Sequence, residues 1–187
     1  MTLTNLLTPT YRQMLRTLSG LLDKAQQQMP ERAETMMSAR LAENMLPLSS
    51  QIRFAAFQAQ EAVFRLRGIP VPAWLDAVVA EGHSAGNTPG SIADARTRID
   101  QALSLLEDVS DNALDNDTGL PISLKLPGDI TFDMTGEQYA RDWALPQFYF
   151  HIITAYAILR NQGIDIGKAD YVPHMFGYLR PGSMPGS

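Results

Sequence analysis

No cysteine occurs in the 187 residues, and that one absence removes disulfides, thiolate zinc sites and cysteine nucleophiles together. No apolar run reaches the roughly eighteen residues needed to cross a bilayer, so no membrane partner is expected. The N-terminal "MTLTNLLTPTYRQ" has no basic stretch followed by an apolar block, so a signal peptide is not indicated and the cytoplasm is the expected location. Positive charge is scarce: 15 Lys and Arg stand against 20 Asp and Glu, a formal charge of −5. The basic residues are scattered rather than clustered. A phosphate backbone wants a basic face, so nucleic acid is not an expected partner.

What is present is a globular composition, 45% hydrophobic, long enough for one domain with a substantial core. Residues 1–187 are read as that domain, with about 172–187 as a tail; its last stretch, "RPGSMPGS", is expected to be loosely held.

Four segments carry helical periodicity. In the first, Thr8 is placed to cap and Pro9 to occupy the first helical position, followed by a stripe of Tyr11, Met14, Leu15, Leu18, Leu22 and Ala25. The second opens at Pro47 and stops at Gly68; Leu48, Ile52, Ala55, Ala59, Val63 and Leu66 form its inner face, and Phe54, Phe57 and Phe64 a second apolar edge. The third begins at Ser91 with Asp94 in capping-box spacing, its stripe running from Ile92 to Val109. Its charged residues Arg96, Arg98, Asp100 and Glu107 read as a solvated face. The fourth, "QFYFHIITAYAILRNQG", follows Pro146 and ends at Gly163; apolar nearly all round, it is expected to be the most buried. A short helix precedes it, with Thr135 and Gln138 in capping-box spacing.

The connections differ. More than twenty residues, "IPVPAWLDAVVAEGHSAGNTPG", separate the second and third segments, enough to run back along a bundle and restart at the same end, with a short helix in "AWLDAVVAEG". Between the third and fourth, "ISLKLPGDITFDM" alternates apolar and polar residues around Pro-Gly-Asp, a hairpin signal. The whole is mostly α, with a small β-hairpin lying against the helices.

The stretches "ALPQFYFHIITAYAILRNQGIDIGKADY", "ARLAENMLPLSSQIRFA" and "LPGDITFDMTGEQY" resemble an uncharacterised bacterial and fungal domain-of-unknown-function family within the DinB/YfiT-like superfamily of metalloenzymes. The likeness runs from the first helix to about Tyr171 and is strongest in the last sixty residues. It implies a DinB-like four-helix bundle with an up-down-down-up path. It also implies a divalent-metal site at one end of the bundle, made in better-known members by one histidine from the second helix and an i, i+4 pair from the fourth. Some members use that metal to activate a thiol cofactor or a water.

In this chain His151 falls in the slot of one helix-four histidine. Gln147 stands where its partner is expected, and Gln51 is the counterpart on the second helix. Residues four apart share a helix face, so Gln147 and His151 can point at one spot. Amide oxygen is a weak donor for a borderline metal, however, and one imidazole with two amides is a poor set. His83, in the Gly-rich connection, and His174, in the tail, lie outside the four segments. Two readings of His151 follow: a buried neutral imidazole hydrogen-bonded to Gln51, Gln147 or a carbonyl, or a ligand for zinc, nickel or iron. Tyr156 is a further pocket candidate, and so is Tyr149, though both read equally as core residues with a hydroxyl at the rim. Lys168 and Asp170 suggest a loop-fixing ion pair, and Ser49 and Ser50 first-turn donors.

The expected function is a ligand-binding or interaction module with a degenerate metal site, taking a small molecule and self-associating as a homodimer through the Phe54, Phe57, Phe64 edge. No catalytic residue is assigned. The alternative is a metal-dependent hydrolase or thiol transferase using His151 as ligand; direct DNA contact is a third reading, disfavoured by the acidic balance.

Overall fold

The computed structural model describes residues 1–115, 119 and 121–183. The protein is mostly helical with one two-stranded antiparallel hairpin. The principal helices are α1 (Leu3–Gln28), α2 (Leu48–Leu66), α3 (Trp74–Ser84), α4 (Ile92–Glu107) and α5 (Leu145–Asn161). The hairpin pairs β1 (Pro121–Leu126) with β2 (Ile130–Thr135).

Helix ends follow local chemistry where the sequence supplies it. Pro47 caps α2, and Gly68, at φ +66°, ends it in the left-handed region that costs glycine little. The two capping boxes, Ser91 with Asp94 and Thr135 with Gln138, are both formed. At the hairpin, Gly128 and Asp129 take positive φ and Leu126 pairs with Ile130 across the turn.

Helix α1 departs from expectation. It begins six residues before Pro9, capped by the Thr2 hydroxyl, which accepts from the Asn5 amide at 3.2 Å. Leu7 is fully buried ahead of the proline, so tertiary packing carries the extra turns across a residue that lacks an amide hydrogen.

One continuous core joins α1, α2, α4 and α5. Helix α2 is its centre, with buried residues on every side, including Ser49, Ser50, Gln51 and Arg53. It is α2, rather than the more apolar α5, that is most enclosed: Phe150 is 54% and Ile153 51% exposed. Apolar composition marks a helix as buriable, while burial itself depends on how many neighbours surround it.

Helix α3 runs back along α2. Phe64 late in α2 packs edge-on to Trp74 at the start of α3, and Arg53 early in α2 pairs with Glu81 near its end. This lid covers the edge expected to mediate self-association: Phe54 is only 8% exposed, and Phe57 and Phe64 are half-buried. The face of α4 expected to be solvated is also engaged. Arg96 pairs with Asp23 of α1 at 2.6 Å, Arg98 pairs with Glu81, and Glu107 pairs with Arg16. Among these, Arg16–Glu107 is exposed on both sides and adds little.

After α5, Asp170 receives Lys24 at 2.6 Å and accepts from the Gly167 amide. The expected Lys168–Asp170 pair does not form, because Asp170 faces α1. A 3₁₀ stretch, Pro173–Tyr178, continues the tail; residues 184–187, the end of the segment expected to be loose, lie outside the described residues. Among the described residues, no helix is long and apolar enough to cross a membrane.

Candidate functional site

Gln51 sits in the first turn of α2, where Pro47 orients the backbone and the Leu48 amide bonds back to the Ala39 carbonyl at 2.8 Å. Its Nε2 donates to the Leu46 carbonyl at 3.0 Å. The other end of the amide, Oε1, therefore faces away from that carbonyl and lies 2.8 Å from His151 Nδ1. An amide oxygen only accepts, so Nδ1 carries the hydrogen and donates. In the neutral ring the lone pair is then on Nε2.

His151 projects from α5 among aromatic rings. Phe54 packs against it at 5.3 Å between centroids, and Phe150 meets it edge-on at 5.4 Å. Burial in this surrounding pushes the imidazole down from 6.5 to about 4. The sign follows from linkage. The unfolded chain binds this proton more readily, so stability is full above about pH 6.5 and declines as pH falls toward 4. At neutral pH the ring is a neutral hydrogen-bonding group.

Among the described residues, the remaining candidates make no hydrogen bond with this pair. Gln147 is one turn earlier on α5, half-buried, with no side-chain hydrogen bond among the described residues. Tyr156 is farther along α5, its hydroxyl donating to the Ile166 carbonyl at 3.4 Å and its ring edge-on to Tyr171. His83 lies on α3, exposed, with its ring 5.1 Å from that of Phe54. His174 is in the tail stretch, its Nδ1 buried without a partner. Among the described residues, no three His, Asp or Glu side chains gather in a way that could hold a metal ion. The residues do not fit the superfamily's divalent metal. Of the three residues expected to form the set, His151 supplies an imidazole while Gln51 and Gln147 supply only amides, and the Gln51 oxygen already accepts the imidazole's hydrogen.

Two polar networks go beyond the expectation, which named only Ser49 and Ser50 as first-turn donors. In the first, Glu81 receives both Arg53 and Arg98, and Arg53 also donates to the Ser49 carbonyl at 3.2 Å. The Arg98 bond, with Arg53 beside it, holds the Glu81 carboxyl below its ordinary value. Ser49 donates in turn to the Pro89 carbonyl, and Ser50 to the Gly82 carbonyl at 2.7 Å. The two serines thus tie the start of α2 to the long connection. In the second, Glu61 is buried beside Arg65 at 2.7 Å. Burial raises its carboxyl despite that cation, and the nearby Tyr11 and Tyr139 hydroxyls are buried with no hydrogen-bond partner among the described residues. Glu61 and Arg65 stand at i, i+4 on one helix, a spacing the sequence shows. The meeting of Arg53, Glu81 and Arg98, and the approach of Tyr11 and Tyr139 to Glu61, join elements far apart in the chain and carry no such signal.

Comparison with known proteins places these observations in a family. The chain matches the family described as "Domain of unknown function (DUF1993)" over residues 3–172. It is also similar to a solved structure, the crystal structure of a DinB family member protein from Shewanella denitrificans. The identity is 27%, the TM-score 0.74, and the match covers 98% of this chain and 96% of that one. No curated protein matches.

Proposed function

The chain belongs to the DUF1993 family, and on that premise we propose that it is a ligand-binding or interaction module whose ancestral metal position has become a hydrogen-bonded glutamine–histidine pair. The fold we propose is a DinB-like four-helix bundle, formed by α1, α2, α4 and α5 on an up-down-down-up path, as one domain. The antiparallel return of α3 along α2 and the pairing of early α4 with late α1 support that path.

The observation that carries the functional reading is the contact of Gln51 Oε1 with His151 Nδ1, with the amide anchored on Leu46. A metal-binding histidine commonly donates its second nitrogen to an acceptor in just this manner. In this chain Gln51 therefore occupies an orienting position rather than a ligand's. What is lacking is the rest of the donor set. A second reading, a metal-dependent hydrolase or thiol transferase, draws its support from the lone pair left on His151 Nε2.

Metal analysis of protein purified without a histidine tag separates the two. The proposal expects zinc, nickel and iron well below one equivalent per chain, unchanged in His151→Ala. A stoichiometric metal that disappears in a folded His151→Ala variant supports the enzyme instead. Self-association as a homodimer in the cytoplasm, without nucleic acid, completes the proposal. With the Phe54 edge covered, the half-exposed Phe150 and Ile153 on α5 are the residues we propose for the dimer contact.

A further inference from the structure

A cavity of 560 Å³ opens between α2, α3 and α4, beside the ends of α2 and α4. It lies away from Gln51, which is in the first turn of α2. Its volume is within the range of about 300–1,000 Å³ typical of small-molecule pockets. The walls are mixed: Val63, Leu105 and Val109 line it beside Gln101 and Ser104, and Phe64 meets Trp74 edge-on at 6.3 Å.

Gln60 also lines this cavity and is only 1% exposed. Its Nε2 donates to the Ala56 carbonyl at 3.0 Å, which fixes the amide so that Oε1 is the free end. That Oε1 is buried, and among the described residues it has no hydrogen-bond partner. A buried acceptor left unpaired is costly, and a donor that reaches it recovers part of that cost where bulk water does not. Arg67 and Asp108 stand on the lining as opposite charges, so no single sign of field selects a charged ligand.

We infer that this cavity is a binding site for a small neutral aromatic molecule carrying an N–H or O–H donor, with the ring against Phe64 and Trp74 and the donor on Gln60 Oε1. Gln60 Oε1 itself has almost no accessible surface, so entry of the donor needs the side chains lining the cavity to yield locally. The site is independent of the His151 pair.

A matched pair of probes tests it: 4-fluorophenol, which has the donor, and fluorobenzene, which has none. Each is titrated into the full chain, followed by its own fluorine NMR signal and by the indole N–H signal of Trp74, assigned with Trp74→Phe. The phenol is expected to bind about tenfold more tightly than fluorobenzene, the value of one net hydrogen bond. Gln60→Met removes the acceptor while keeping the volume, and is expected to bring the two affinities together. Val109→Trp fills the cavity and is expected to abolish both. His151→Phe is expected to change neither, which keeps this result separable from the fate of the glutamine–histidine pair. Equal affinities in the unaltered chain would overturn the inference. So would a preference surviving Gln60→Met, binding that persists in folded Val109→Trp, or no binding of either probe through the millimolar range. Should Val109→Trp fail to fold, Gln60→Met decides.

Discussion

Phe148→Ala is expected to lower the unfolding free energy by about 3–5 kcal/mol, the range for deleting a large aromatic side chain from a core that cannot collapse around the gap. Phe148 is fully buried and meets Tyr11 edge-on at 4.7 Å, joining α5 to α1. Tyr11 also contacts the neighbourhood of Glu61, where burial already pushes the phenol far above its ordinary value. The void therefore opens beside the buried Tyr11 phenol. The neighbouring Phe150→Ala is the contrast. That side chain is 54% exposed, and its loss is expected to cost under about 0.5 kcal/mol. Denaturant melts of the two variants, two residues apart on one helix, check the inward face of α5. Similar values would show that the helix is rotated from its described orientation.

Gly82→Ala is expected to destabilise by about 1–2 kcal/mol, against the usual direction for a glycine inside a helix. Replacing such a glycine by alanine gains about 1 kcal/mol where nothing opposes it. At Gly82 a new Cβ would stand 2.7 Å from two ring carbons of Phe54. The ring has little room to retreat, since His151 lies behind it at 5.3 Å, and the Ser50 bond to the Gly82 carbonyl holds α3 close. Overpacking of this kind costs about 1–3 kcal/mol and outweighs the propensity gain. Gly20 in α1 supplies the control: nothing lies within 4 Å of its Cβ position, so Gly20→Ala is expected to stabilise by about 0.5–1 kcal/mol. In a Phe54→Leu background the penalty at Gly82 should largely vanish, a coupling that a double-mutant cycle reads directly. A Gly82→Ala protein as stable as Gly20→Ala would mean that α3 does not press on Phe54 as described.

These residues also show where sequence reasoning stopped. Pro47, Gly68, the Ser91–Asp94 box and the Pro-Gly-Asp turn were readable because each acts through its own backbone, within four residues. The start of α1 was not. A proline at position 9 is a strong local signal for a first turn, and only the packing of residues before it, Leu7 above all, carries the helix back to Leu3. The α4 arginines failed for the same kind of reason. Their partners Asp23 and Glu81 are brought to them by tertiary structure, and charge on an amphipathic helix carries no mark distinguishing water from a carboxylate. At the site, the inward stripe positions of Gln51 and His151 were legible separately. The atom-level arrangement was not, because it turns on the Leu46 carbonyl outside the helix fixing which end of an amide faces the ring. The same holds for Gln60: its place in the sequence says nothing about an acceptor left without a partner.

The most direct test of the glutamine–histidine account is long-range proton–nitrogen NMR of His151 across a pH titration, with and without added zinc. The account predicts a neutral ring with its hydrogen on Nδ1, a titration midpoint near pH 4, and nitrogen shifts that zinc leaves unchanged at neutral pH. A ring protonated on Nε2, a midpoint near 6.5, or a zinc-dependent shift of Nε2 at one equivalent would contradict it.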